Sequence, residues 1–244
     1  MFGYGFDRRI LYIILALLVV STISSYTTND VLGILYTLPG VLIALTFHEF
    51  AHAFAADKLG DDTPRRQGRL TLNPIAHLDP VGSIMLVFAG IGWGKPVEVN
   101  PRNFNRDISM DKANAIVSFA GPLINFILAV IFSIIYVLIF KFTDAGFIYS
   151  QAGGILTTIV SSAILINVGL GIFNLIPLPP LDGSKILMHF LPYNGKVWFE
   201  NNQHIFYVIF LAIWMLGIAG SIISPIILGL SNGLIDLFAM IFGV

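Results

Sequence analysis

Residues 40–59 read G-V-L-I-A-L-T-F-H-E-F-A-H-A-F-A-A-D-K-L, an apolar run with His48, Glu49 and His52 at its centre. Two histidines four apart lie on one helical face, one turn above each other. That geometry lets both imidazoles reach one zinc ion, with Glu49 beside them as a base for water activated by the metal. Polar groups in a lipid-facing helix are costly, so three within five residues demand partners inside a helix bundle. Ala44, Ala51, Ala53, Ala55 and Ala56 surround the motif and are small enough to let neighbouring helices approach closely. The alternative is a structural hydrogen-bond cluster between helices, or one facing a cytoplasmic vestibule.

Outward from this stretch, the chain reads as membrane-embedded. Of its 244 residues 56% are hydrophobic and only 11% charged, with a mean hydropathy of +0.85. A soluble domain carries about 25% charged residues. This chain cannot cover a water-facing surface, so the expected class is an all-α polytopic membrane protein. A net charge of −1 offers no basic field for nucleic acid. The absence of cysteine removes disulfides, all-cysteine zinc sites, iron–sulfur clusters and a cysteine nucleophile together. Any metal must be held by His, Asp or Glu.

At roughly 20 apolar residues per crossing, six spans are expected, over residues 10–26, 31–59, 113–140, 152–176, 204–220 and 222–242, forming a single domain over 1–244. The apolar stretch 81–93 is too short for a crossing and reads as a re-entrant or buried segment. The first span follows Arg8 and Arg9, as a signal peptide would, but no A-x-A cleavage site follows, so it is expected to remain as a helix. Twelve of the thirteen Lys and Arg fall on one side of this arrangement and only Lys141 on the other. Such a bias orients a cell-membrane protein with both termini in the cytoplasm.

Catalytic zinc needs three protein ligands and an open position. His52 lies about seven residues, or roughly 10 Å, from the cytoplasmic end of its helix, so the third ligand should sit near the cytoplasmic end of another span. Residues 174–183, N-L-I-P-L-P-P-L-D-G, end the 152–176 span at that level. The prolines break the helix and Gly183 allows a tight turn that can present Asp182 to the bundle. Asp182 could instead be a helix N-cap for the segment starting at Ser184.

HEFAH inside an apolar helix, followed by a helix-terminal NLIPLPPLDG, resembles the site-2 protease family of intramembrane zinc metalloproteases. Residues 68–80 (GRLTLNPIAHLDP), 92–101 (GWGKPVEVNP) and 120–125 (AGPLIN) are similar to that family too, and the resemblance extends over roughly residues 40–190. It implies one zinc ion held by His48, His52 and Asp182, with Glu49 as general base. It also implies a bundle of about six spans with the site near the cytoplasmic face. The substrate would be a membrane-spanning protein or a membrane-associated segment in the bilayer, cut for regulated proteolysis or signal-peptide clearance. Family members often carry a PDZ or CBS domain, and this sequence contains neither.

The other motifs admit two readings each. Arg69, Leu70, Thr71 and Leu72 alternate, as do residues 96–99, so a small cytoplasmic-side β-hairpin or sheet within residues 62–103 is expected. An exposed edge at Arg69–Leu72 could take an unwound substrate as an added strand. His77, with Asp79, reads as a turn cap, or as a group supporting the transition state. Asn125 reads as interhelical glue or as a donor to the oxyanion, and Asn174 invites the same pair. A membrane metal-ion transporter or channel using the His/Glu/Asp cluster is the rival function. No inverted repeat is visible, and the polar residues sit at one depth, which weighs against it.

Overall fold

The computed structural model describes residues 27–83, 93–215 and 217–244, all helical or irregular. The expected span 10–26 and most of the 81–93 segment lie outside these residues. Helix α1, Thr28–Lys58, starts from a capping box: the Thr27 hydroxyl accepts from the Asp30 N–H and the Asp30 carboxylate accepts from the Thr27 N–H. Its 31 residues extend about 46 Å at 1.5 Å each, long enough to cross a bilayer. Two single turns, α2 (Thr63–Arg66) and α3 (Pro74–His77), and a 3-10 turn at Pro101–Asn103 follow in the polar connection.

Helix α4, Met110–Phe142, capped by Ser109, returns alongside α1. After the turn α5, Ala145–Ile148, helix α6, Gln151–Asn174, starts at the Ser150 cap and packs on both α1 and α4. The three form the centre of the bundle. Ala44, Ala53 and Ala56 of α1 are fully buried there, which is how the small residues flanking the histidines allow close helix approach. The outer surface of α4 is the reverse. Phe119, Leu123, Ile127, Ile131 and Ile135, one every four residues, are 40–45% exposed, an apolar stripe suited to lipid and not to water.

Short helices α7 (Asp182–Phe190) and α8 (Tyr193–Asn201) lead to α9 (Gln203–Met215) and α10 (Ile218–Phe242). Four described helices are long and apolar enough to cross a membrane: Asp30–Lys58, Met110–Phe142, Gln151–Asn174 and Gly220–Phe242. The expected span 204–220 is not among these four. Its helix α9 has 13 residues, about 20 Å, short of the roughly 30 Å hydrocarbon core. The chain turns at Gly217, which has φ +69°.

Helix α10 then runs parallel to α4. Ile227 lies against Gly169, near the end of α6, while the Lys141 amine at the far end of α4 donates to the Phe242 carbonyl. Residue 244 therefore sits at the Lys141 end of the bundle, opposite the basic end. Lys141 and residue 242 thus share one end of the bundle, whereas the charge bias alone puts Lys141 and the C-terminal end on opposite sides. An apolar run fixes only that a segment is lipid-compatible. Whether it crosses depends on where the helix breaks.

The β expectation is also corrected. Among the described residues there is no strand, only an isolated antiparallel bridge between Leu78 and Gly94. Residues 69–72 form an irregular bend between the Gly68 turn and the Asn73-capped turn α3. Residues 95–100 add no ladder beyond that bridge: the Lys95 N–H bond to the His77 carbonyl belongs to it, while the Val97 N–H goes to Glu49 and the Asn100 N–H to Asp61.

Candidate metal centre

His48 and His52 project from α1 toward the junction of α4 and α7. Asp182 is the first residue of α7, whose N-cap is Leu181 with no side-chain cap bond. Its carboxylate is therefore not spent as a cap, and it sits at the positive end of the helix dipole, where a negative charge is favoured. The chain can turn this tightly because residue 183 is glycine: a Cβ there would lie 2.3 Å from the Leu175 carbonyl oxygen and 2.4 Å from that of Ile176.

Three ligand atoms converge. His48 Nε2 and His52 Nε2 are 3.0 Å apart, and Asp182 Oδ2 lies 3.2 Å from the first and 3.1 Å from the second. All three residues are at most 9% exposed. The tautomers follow from the other ring nitrogens. His52 Nδ1 is 2.7 Å from the Val117 carbonyl, which can only accept, so Nδ1 carries the proton. His48 Nδ1 is 2.7 Å from Asn125 Oδ1. The Asn125 amide nitrogen donates to the Ala44 carbonyl and to Asn167 Oδ1, both at 3.0 Å, which fixes the orientation of the amide. Asn125 therefore accepts from His48 Nδ1–H.

Both Nε2 lone pairs then point at each other and at a carboxylate. Three acceptors packed this closely repel unless a cation joins them. Bonds of about 2.0–2.1 Å in tetrahedral geometry separate zinc ligands by about 3.3 Å, close to the triangle observed. Two imidazoles with a carboxylate, and partners that orient each ring, fit a catalytic zinc site. Among the described residues this is the only group of three or more such side chains that could hold a metal.

The other walls belong to α4 and the 93–100 segment. A Cβ on Gly121 would sit 2.6 Å from His52 Nε2 and 2.7 Å from His48 Cε1, so α4 can meet the imidazoles only through glycine. Glu49, 8% exposed, has Oε2 held by the Val97 N–H at 2.8 Å, and no described group hydrogen-bonds Oε1. A cavity of about 240 Å³ opens beside Val97 and Val117 and is also lined by Val99, Asn114, Ser118 and Lys185. Its lining includes the residues that contact the Glu49 carboxylate and the His52 ring.

The structure brings together His48, His52, Asp182 and Asn125, with Glu49 at the edge of the cluster. Asn125 is fully buried and both its amide donors are engaged. Asn174 donates to the Leu170 carbonyl one turn back in its own helix. His77 is fully buried with Nε2 2.8 Å from the Thr71 carbonyl, and Arg69 donates to the carbonyls of Ala76 and Lys95. Leu70 and Thr71 lie half-buried in the bend, and Leu72 is exposed. The sequence reading missed Asn167, Gly121 and Val97. Asn167 had a signal, being an amide in the middle of an apolar helix as Asn125 is. Val97 lies within the 92–101 stretch, but its role and that of Val117 run through backbone atoms, which side-chain chemistry does not reveal.

Residues 146–217 match the sequence profile of Peptidase family M50. The chain is 36% identical over 207 residues to the Bacillus subtilis protein named "Putative zinc metalloprotease YwhC", covering 85% of this chain and 92% of that one. It is 29% identical over 192 residues to "Putative zinc metalloprotease MJ0611" of Methanocaldococcus jannaschii, covering 79% and 87%. It is 31% identical over 156 residues to "Putative zinc metalloprotease Rip2" of Mycolicibacterium smegmatis, covering 62% and 55%. No solved structure gives a significant match.

Proposed function

Because this chain belongs to Peptidase family M50, the site-2 protease family of zinc metalloproteases, we propose that it hydrolyses peptide bonds within membrane-spanning or membrane-associated protein segments, near the cytoplasmic face. The observation that carries this reading is the triangle of His48 Nε2, His52 Nε2 and Asp182 Oδ2, buried beside Glu49 at the end of the bundle where the basic residues gather.

In this reading His48, His52 and Asp182 hold one zinc ion. Zinc when bound supplies a Lewis acid that polarises the scissile carbonyl and acidifies water. Asn125 and the Val117 carbonyl hold the two imidazoles in the tautomer that leaves each Nε2 free to coordinate. Glu49 takes the proton from the attacking water and returns it to the leaving amine. The Val97 N–H occupies Oε2, which leaves Oε1 for that transfer. The cavity beside Val97, Val117 and Ser118 would receive the unwound substrate next to the site.

A Glu49→Gln variant should keep its zinc and lose cleavage of a single-span membrane substrate by about 10²–10⁴-fold, the range for removal of a general base. Cleavage at the wild-type rate by a zinc-loaded variant would refute the mechanism.

A further inference from the structure

We infer that Arg69 is a positioning residue for the Glu49 carboxylate, acting through the backbone of residues 94–97. The inference rests on the reading of Glu49 as the general base. Arg69 is 4% exposed, and among the described residues it has no carboxylate partner. A buried guanidinium is expensive unless its donors are satisfied. Here Nη1 donates to the Ala76 carbonyl and Nη2 to the Lys95 carbonyl, so one planar fork ties two segments 19 residues apart in the chain. A lysine ammonium has no such fixed fork.

His77 closes the same clasp. Its Nε2 donates to the Thr71 carbonyl at 2.8 Å, and its own carbonyl accepts the Lys95 N–H at 2.8 Å. Lys95 is thus fixed at both its N–H and its carbonyl. Pro96 follows, and its ring fixes its own φ and restricts Lys95 to extended backbone. The next donor is the Val97 N–H, 2.8 Å from Glu49 Oε2. Three residues on, the Asn100 N–H reaches buried Asp61 at 2.7 Å, which anchors the far end. The segment is a taut strap pinned at Lys95 and Asn100, with Glu49 held at its middle. A helix side chain as long as glutamate has rotameric freedom, and nothing else described fixes the Glu49 carboxylate. The strap selects one placement of it, and Arg69 sets the strap.

The test compares Arg69→Gln, Arg69→Lys and Val97→Pro in the full chain, with Glu49→Gln alongside. Val97→Pro removes the donor itself. For Arg69→Gln, zinc content and KM should stay within about 2-fold of wild type and kcat should fall about 10–100-fold, the scale of a misplaced catalytic group. Arg69→Lys should recover part of the loss, because one carbonyl contact survives. The Arg69→Gln/Val97→Pro double variant should be no slower than the slower single, since both act through one hydrogen bond. Amide hydrogen exchange over residues 93–100 should speed up in Arg69→Gln while that of α1 does not. Additive losses in the double variant, or wild-type kcat in Arg69→Gln, overturn the inference. If Arg69→Gln loses zinc or fails to fold, the Arg69→Lys and Val97→Pro pair gives the same cycle, and additivity there overturns it equally. Should Glu49→Gln remain active, the base assignment fails instead, and the two failures are distinguished.

Discussion

Two polar clusters hold this protein's functional end together, and they are built in opposite ways. In the membrane-embedded cluster, side chains from α1, α4, α6 and α7 bond mainly to one another: His48 to Asn125, Asn125 to Asn167, and both histidines to Asp182. In the connection between α1 and α4, the buried side chains Asp61, Arg69 and His77 bond largely to backbone. Asp61 accepts from the N–H groups of Thr63 and Asn100, and Arg69 donates to two carbonyls. A helix satisfies its own backbone, so polar side chains within it must find each other. An irregular segment leaves its N–H and C=O groups unpaired, and buried polar side chains are recruited to pair them. The first arrangement makes a candidate metal site and the second makes a scaffold. Val97, whose N–H meets Glu49, is where they touch.

Substitutions should separate the two kinds of cluster, with the largest effect in the first. Asp182→Ala removes one of the three proposed ligands and should reduce bound zinc, measured by atomic emission, to background along with proteolysis. Retention of stoichiometric zinc would break the assignment of the triangle as the metal site. Gly121→Val should come next. A side chain there meets both imidazoles within 2.7 Å, so zinc should be lost although no ligand has changed. A fully loaded Gly121→Val protein would mean that α4 stands further from α1 than described.

Asn125→Ala probes orientation alone. It should weaken zinc affinity by about 10–100-fold, as loss of a ring-orienting partner does, seen as earlier metal loss in a chelator titration. A Glu49-like loss of rate with unchanged affinity would instead favour a direct role for Asn125 at the oxyanion.

The smallest effect belongs to the scaffold. Burial opposes the Asp61 charge, but hydrogen bonds from Thr63, Asn100 and Asn103 outweigh it and hold the carboxyl below its ordinary range. A depressed folded-state value means stability present above the unfolded value, near 3.9, and lost as pH falls through the folded one. Asp61→Asn should cost about 1–3 kcal/mol at neutral pH. The gap from wild type should narrow below about pH 4, read by thermal unfolding at unchanged zinc content. A gap independent of pH would remove charge from the explanation.

What could be read in advance depended on the range of the interaction. His48, Glu49 and His52 follow from helical periodicity. Asp182 could be placed by depth, because both chain breaks fall at one level of the bundle. Alternation over Arg69–Leu72 misled, since four residues between a glycine turn and Asn73-Pro74 have no partner to pair with. The direction of α10 was not legible either, because hydropathy carries no information on which face of the membrane a helix starts from.

The sequence by itself determined the solvent, the helical class and the chemistry. Apolar composition, the i,i+4 histidines and the missing cysteines are properties of residues and their near neighbours. Only the tertiary structure decided which amide orients His48, that a glycine must face the imidazoles, that α9 stops short and α10 runs beside α4, and that a backbone N–H holds the Glu49 carboxylate. Those depend on contacts between residues dozens of positions apart, and several use backbone atoms, which every residue presents alike until the chain is folded.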